Sequence, residues 1–189
     1  MRYSKIREMD VSNGEGLGVS LFVQGCHFHC KGCFNSETWD FDGGKEWNEE
    51  IKDKFFGLID RDYIKRVTIL GGEPLCNENV EEVCMIAGEI KNRFPQKKIW
   101  IYTGYSFADL LSPTLINGSI SQHSLYRILT LTYIDILVDG RFDIDKQDLY
   151  NETIVWAGST NQRVLDVKKS LQTMCAVLYD SQYDKTKLF

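Results

Sequence analysis

Four short apolar runs, VSLFV (19–23), RVTIL (66–70), KIWIY (98–102) and IDILV (134–138), set the narrowest limits on how this chain can fold. Each is rich in β-branched or aromatic residues and too short for a buried helix, so each reads as a buried strand. Between them lie segments of helical spacing. Val80, Val83, Ala87, Ile90 and Phe94 fall on one face of a helix over about 79–93; Asn77 or Asn79 can cap it and Pro95 helps end it. Trp47, Ile51, Phe55 and Leu58 align on a helix over about 47–58, and Leu125, Ile128 and Leu129 on one over about 121–130, capped by Ser121. Strands alternating with helices predict βαβ units, an α/β fold and a mainly parallel sheet. Four clear strands and one or two weaker ones fall short of eight, and 189 residues fall short of the about 250 of a full barrel. The expectation is a partial, open (β/α) barrel, one domain over 1–189, with no repeat or linker dividing it.

The charge balance narrows the partners. Lys and Arg number 22 against 27 Asp and Glu, a net −5 with no basic stripe, which argues against nucleic acid. No run approaches 18 apolar residues and MRYSKIREMD lacks the apolar core of a signal peptide, so the expectation is a soluble, cytoplasmic protein with no membrane partner. Six cysteines in such a compartment are metal ligands or buried thiols before they are disulfides. Cys76, Cys84 and Cys175 are widely spaced and read as structural.

Each predicted strand runs into a glycine beside a polar or metal-binding residue: Gln24–Gly25–Cys26, GGEP (71–74), TGY (103–105) and DGRF (139–142). In parallel α/β architectures the carboxyl ends of the strands converge on one face, and that face carries the active site. Four motifs distant in sequence are therefore expected to meet.

The densest is VQGCHFHCKGCFN (23–35), in which Cys26, Cys30 and Cys33 are spaced C-x3-C-x2-C. Soft thiolates at these intervals wrap around one centre, zinc or an iron–sulfur cluster. A structural zinc site is closed by four ligands, and no second cysteine pair exists here; His27 or His29 could supply a fourth only from within the stretched loop. A dithiol role for CKGC leaves Cys26 without a task. The remaining reading is a 4Fe-4S cluster on three thiolates, with one iron open to a cofactor. In GGEP the glycine pair permits close backbone approach and Glu73 offers an acceptor for an ammonium group, although the same residues suit a turn.

These residues resemble the radical S-adenosylmethionine enzymes, whose signature is C-x3-C-x2-C and whose unique iron chelates the methionine moiety. Gly32 precedes the third cysteine where that family commonly has an aromatic residue, and Phe34 follows it. More narrowly, GCHFHCKGCFNSETW is similar to the pattern of the anaerobic ribonucleoside-triphosphate reductase activating proteins. TILGGEPL, IWIYTGY, ILVDGRF and GSTNQR are similar to theirs in the same order, so the resemblance spans roughly 10–166. It implies a partial barrel of the radical S-adenosylmethionine type, a cluster on Cys26, Cys30 and Cys33, and S-adenosylmethionine held by Gly32, Cys33, Phe34, Gly71, Gly72, Glu73, Thr103 and Gly104; Asp139, at a strand end on the same face, reads as a group that binds a cation, orients the cofactor or places the peptide substrate, although Asp-Gly also suits a turn. Asn35 is a further possible contact, Asn161, Gln162 and Arg163 suit either contacts to cofactor or substrate or the cap of a late strand, and no catalytic side chain is implied beyond the cluster and cofactor. The implied activity is an oxidoreductase that forms a glycyl radical on the reductase, fed by a low-potential donor such as flavodoxin. The alternatives are a radical enzyme acting on a small molecule or another glycyl radical enzyme, and a non-catalytic zinc module. One stretch departs. The family usually has D-G-x-G followed by arginine before the first strand, whereas this chain reads SNGEGLGVS (12–20), with Asn13 for the acid and no arginine nearby.

Overall fold

All four apolar runs are strands and lie side by side. The computed structural model describes residues 1–147 and 155–181. In chain order the elements are β1 (Arg2–Asp10), β2 (Gly18–Val23), β3 (Lys45–Glu46), α1 (Glu49–Ile59), β4 (Arg66–Gly71), α2 (Val80–Arg93), β5 (Lys98–Tyr102), α3 (Phe107–Leu111), β6 (Leu115–Ile116), β7 (Ser119–Ile120), α4 (Gln122–Tyr133), β8 (Ile136–Asp139), β9 (Arg163–Asp166) and α5 (Val167–Thr173). A seven-stranded sheet runs β3-β1-β2-β4-β5-β8-β9, and β6 and β7 form a separate hairpin. The central strands β2, β4, β5 and β8 are parallel. Antiparallel strands border them, β1 and β3 on one side and β9 on the other. The fold is thus α/β with a mostly parallel central sheet, as the alternation of runs predicted.

Period-two alternation sends each strand's side chains to two layers. Val19, Leu21 and Val23 of β2, Val67 and Ile69 of β4, Ile99 and Ile101 of β5 and Leu137 of β8 bury against Phe55, Ile59, Val83, Ala87 and Ile90 of the helices. The intervening residues face the other way, where Trp100, Ile136, Val138 and Val164 form a smaller cluster with Tyr102, Trp156 and Tyr179 packed against it. Both faces are covered, as a parallel sheet requires.

Three local expectations are corrected. β1 and β9 are not among the four runs located in the sequence; in β1, flanked on its outer side only by the two-residue β3, Lys5, Arg7 and Glu8 break the apolar alternation. Helix α2 follows Asn79, yet the Asn79 side chain makes no capping bond; its amide instead donates to the carbonyls of Gln24 and Glu73, at 2.9 and 3.1 Å. Ser121 does cap α4, accepting from the Ser124 N–H, but the predicted inward face of that helix is outside. Leu125 and Leu129 are 51% and 40% exposed, while Ser124, Thr130 and Leu131 are buried. The helix packs against α2, where Gly88 meets the Tyr133 ring, and Leu131, Tyr126 and Tyr133 make its contact with the core beside the buried Ser124 and Thr130. Among the described residues no helix is long and apolar enough to cross a membrane.

Ile69 sits fully buried at the centre of the parallel strands. Ile69→Ala is expected to lower the free energy of unfolding by about 2–5 kcal/mol, measured by urea denaturation followed by circular dichroism.

Candidate active site

The site begins where β2 ends. Gln24 is buried and its amide nitrogen donates to the Asp40 carbonyl at 2.7 Å. Gly25 donates to Thr38 O and Cys26 to Trp39 O, so the cysteine loop is rooted by backbone bonds on both of its arms. Gly25 has φ 96 and a Cβ there would lie 2.1 Å from the Phe41 ring. Gly72 crosses directly over it: a Cβ on Gly72 would lie 2.4 Å from the Gly25 carbonyl oxygen. That carbonyl accepts the Glu73 N–H at 2.7 Å and the Val23 carbonyl accepts the Gly72 N–H at 2.9 Å. Only paired glycines allow the two backbones this approach.

The crossing drives Glu73 inward. Its side chain is 2% exposed. Oε1 accepts from the Leu75 N–H at 2.9 Å and the Thr103 hydroxyl at 2.7 Å, and Oε2 accepts from the Gly104 N–H at 2.7 Å. Burial pushes its carboxyl up to about 7, against these hydrogen bonds, which favour the ionised form. Gly104 is tight for the same reason as Gly72, since a Cβ would meet the Phe28 ring at 2.4 Å. The cysteine loop, GGE and TG are therefore locked together by backbone and carboxylate.

These residues share one cavity of about 640 Å³. Cys26, Cys30, Cys33, Phe34 and Asn35 line it, with Gly71, Gly72, Glu73, Thr103, Gly104 and Gln162. Cys26 is buried and Cys30 and Cys33 half-buried. Burial raises the Cys26 and Cys30 thiols, and the neighbouring Cys33 raises Cys30 further. The Asn35 N–H donates to the Cys33 sulfur at 3.4 Å. The histidines turn elsewhere: His27 reaches Glu78 at 2.9 Å and lies against Phe41, and His29 stacks on Trp39. Among the described residues no three His, Cys, Asp or Glu side chains form a ready-made ion site. The donor set, three free thiols on one loop beside a cavity, suits an iron–sulfur cluster, and loading must displace the protons that burial keeps on Cys26 and Cys30.

Other predicted contacts fall away from the wall. Asp139 is 1% exposed but does not line the cavity. Arg163 donates to both its oxygens, at 2.9 and 2.5 Å, and the Phe107 N–H at the start of α3 donates to Oδ2 at 2.7 Å. The Asp139 carboxylate is thus paired within the fold. Asn161 donates to Arg141 O and Gln162, which does line the cavity, to Gly140 O, both at 2.9 Å, so NQR secures the DGRF turn. Gly32 lies against Ile144, outside the cavity. Cys76 and Cys84 are buried, as expected of structural thiols, whereas Cys175 is exposed. His123 is exposed on α4.

Several residues escaped the sequence reading. Phe28 and Arg141 line the cavity with the guanidinium 4.3 Å from the ring centroid; Tyr102 and Trp156 line it too. Phe28 lies inside the cysteine spacing, and Arg141 directly follows a strand-end glycine, a signal that was there to be read.

The geometry brings three thiols of one loop and a buried carboxylate to one cavity, an arrangement that suits a single iron–sulfur cluster. The family described as "4Fe-4S single cluster domain" matches residues 12–165. Proteins named "Anaerobic ribonucleoside-triphosphate reductase-activating protein" are similar over nearly their whole length. That of Pasteurella multocida (strain Pm70) is 35% identical over 164 residues, 86% of this chain and 95% of the relative. That of Vibrio cholerae serotype O1 (strain ATCC 39315 / El Tor Inaba N16961) is 36% identical, covering 86% and 96%, and that of Enterobacteria phage T4 33%, covering 87% and 93%. The chain belongs to the family of anaerobic ribonucleoside-triphosphate reductase-activating proteins and carries its 4Fe-4S domain.

Because Glu73 keeps its proton to about pH 7 when folded and to about 4.5 in the unfolded chain, the folded state binds more protons in that window. Stability of the cluster-free protein is expected to fall as pH rises from 4.5 to 7, by up to roughly 3 kcal/mol. Urea titrations across this range check it, and Glu73→Gln, which mimics the neutral carboxyl, should flatten the slope.

Proposed function

We propose that this chain activates an anaerobic ribonucleoside-triphosphate reductase by removing a hydrogen atom from one of its glycines, leaving a glycyl radical. The observation that carries the reading is the meeting of the three-cysteine loop with Glu73, Thr103 and Gly104 in one cavity of about 640 Å³. When bound and reduced, a 4Fe-4S cluster supplies the electron for reductive cleavage of S-adenosylmethionine, the hard chemistry that no side chain can provide.

The chain's own residues bind, orient and shield. Cys26, Cys30 and Cys33 hold the cluster, and the Asn35 N–H stabilises negative charge on the Cys33 sulfur. The Glu73 carboxylate accepts the amino group of S-adenosylmethionine; a cation beside it favours its ionised form, so binding releases the proton it otherwise keeps near neutral pH. Thr103 and Gly104 aim that carboxylate, and Gly71 and Gly72 leave backbone open to the ligand. Asp139 and Arg163 act one step back, fixing β8 to β9 and to the start of α3. Phe28, Tyr102 and Trp156 keep water from the reacting centre. An open, partial (β/α) barrel suits this task, because one side of the cavity must admit a glycine loop from a large protein. A low-potential donor such as flavodoxin feeds the cluster, and the setting is the cytoplasm.

Anaerobic reconstitution with iron and sulfide is expected to give a brown protein that, once reduced, cleaves S-adenosylmethionine to 5′-deoxyadenosine and raises a glycyl radical signal on the reductase. Cys30→Ala should fall to background in both assays. Cleavage retained in that variant, or a colourless protein holding one zinc, would sink the reading.

A further inference from the structure

Helix α4 reaches the site through one side chain. Leu125 and Leu129 of this helix are exposed, whereas Arg127 between them is half-buried and extends to the loop that follows GGE. Its Nε donates to the Leu75 carbonyl at 2.8 Å and its Nη2 to Asn77 Oδ1 at 2.7 Å. Its guanidinium lies 5.0 Å from the centroid of the Tyr105 ring, within range of a cation–π contact. The helix docks on the core through Tyr126, Leu131 and Tyr133, so the Arg127 fork serves the loop and not the packing of α4. Leu75 and Asn77 stand 52 and 50 positions away in sequence, beyond the reach of any local pattern.

Each of the three partners belongs to the frame around Glu73. Leu75 is fully buried; its N–H donates to Glu73 Oε1 while its carbonyl accepts from Arg127. Asn77 lies two residues further along the same loop, whose far end Asn79 ties to the carbonyls of Gln24 and Glu73. Tyr105 follows Gly104, the donor to Oε2, and its own N–H donates at 3.2 Å to the hydroxyl of Thr103, the second donor to Oε1. Its ring meets Phe28 of the cysteine loop edge-on, with centroids 5.0 Å apart. One guanidinium therefore bridges the two segments that supply the three hydrogen bonds to the Glu73 carboxylate. Both of its own hydrogen bonds go to neutral oxygens. Burial raises the Glu73 carboxyl, and the Arg127 charge opposes that rise alongside the three hydrogen bonds.

We infer that Arg127 is a positioning residue for S-adenosylmethionine, clamping the 75–77 and 103–105 segments so that Glu73 is aimed at the amino group before the cofactor arrives. The inference rests on the proposed function for the identity of that cofactor. Arg127 does not line the cavity; it acts only through Leu75, Asn77 and Tyr105. An acceptor ordered in advance need not be ordered on binding, so the loss of Arg127 is felt through Glu73 and disappears when the Glu73 carboxylate is absent.

The test is a double-mutant cycle of Arg127→Met, which keeps the apolar stem, with Glu73→Gln. In the reconstituted, unreduced protein, calorimetry should show Arg127→Met weakening S-adenosylmethionine binding at least about tenfold. In the Glu73→Gln background the same substitution should change that affinity by no more than about twofold. Hydrogen exchange read by mass spectrometry should quicken at least about tenfold in a peptide covering 73–77 and stay parental in α2. At saturating cofactor the cleavage rate should remain within about threefold of the parent, so that the loss appears in KM. Parental affinity, parental exchange over 73–77, or an undiminished effect of Arg127→Met in the Glu73→Gln background overturns the inference. If Arg127→Met does not fold, Arg127→Lys, which keeps the charge but cannot bridge Leu75 and Asn77 as a fork, is judged by the same comparisons. A parent that binds S-adenosylmethionine but raises no glycyl radical on the reductase refutes the proposed function and leaves the cycle to decide the role of Arg127. A parent without affinity for S-adenosylmethionine overturns both.

Discussion

The backbone crossing of Gly72 over Gly25 is the constraint on which the rest of the site depends. At this point two loops, one carrying three thiols and the other a carboxylate, pass with a carbonyl where any Cβ would stand. The contact is fixed by the Glu73 N–H on Gly25 O and the Gly72 N–H on Val23 O. Once these form, Glu73 is turned in to the cavity wall and finds its partners there, in Leu75, Thr103 and Gly104. A buried carboxylate satisfied only by neutral donors keeps a raised affinity for protons and, by the same physics, for any other cation that can reach it. The local geometry of two glycines thereby becomes the electrostatics of the cavity.

The sheet places opposite electrostatic solutions at its two ends. At the carboxyl ends Glu73 is buried without a cationic partner, which costs stability and leaves a charge available. At the amino ends Arg66 and Asp10 are buried together, and at β8 Asp139 is paired with Arg163. Paired charges are silent toward ligands and strong toward geometry: they set where a loop lies without offering it a net field. Glu73, a buried carboxylate with no ion pair among the described residues, therefore stands out as a group that can serve something not part of the chain, and the paired ones as the frame around it.

Much of this was readable in the residues. The four apolar runs became the four central strands because β-branched residues in short runs have few other stable arrangements, and Cys26, Gly71, Gly104 and Gly140 at their ends do border one cavity. The cysteine spacing, GGE and TG were legible because each motif is local and its chemistry follows from residue type. The pairing of Asp139 was not legible because proximity to a strand end says nothing about which partner a carboxylate meets; its partner, Arg163, lies 24 residues on. The α4 face was misread because Leu125 and Leu129 repeat at helical spacing whether they meet a core or solvent. Arg66 carried a signal that went unused: a charged residue leading a wholly buried strand, two positions before an inward Thr68, needs a counter-charge somewhere.

What the sequence determined by itself was the alternation of strands and helices, the loops that carry the chemistry and the soft, incomplete donor set of Cys26, Cys30 and Cys33. Those follow from periodicity and residue type, which act over a few positions. Only the tertiary structure decided which buried carboxylate is left without an ion pair, which arginine holds the Glu73 loop and which helix face stays outside. Each of these depends on what a side chain meets across the fold, and burial converts that meeting into a charge kept, cancelled or withheld.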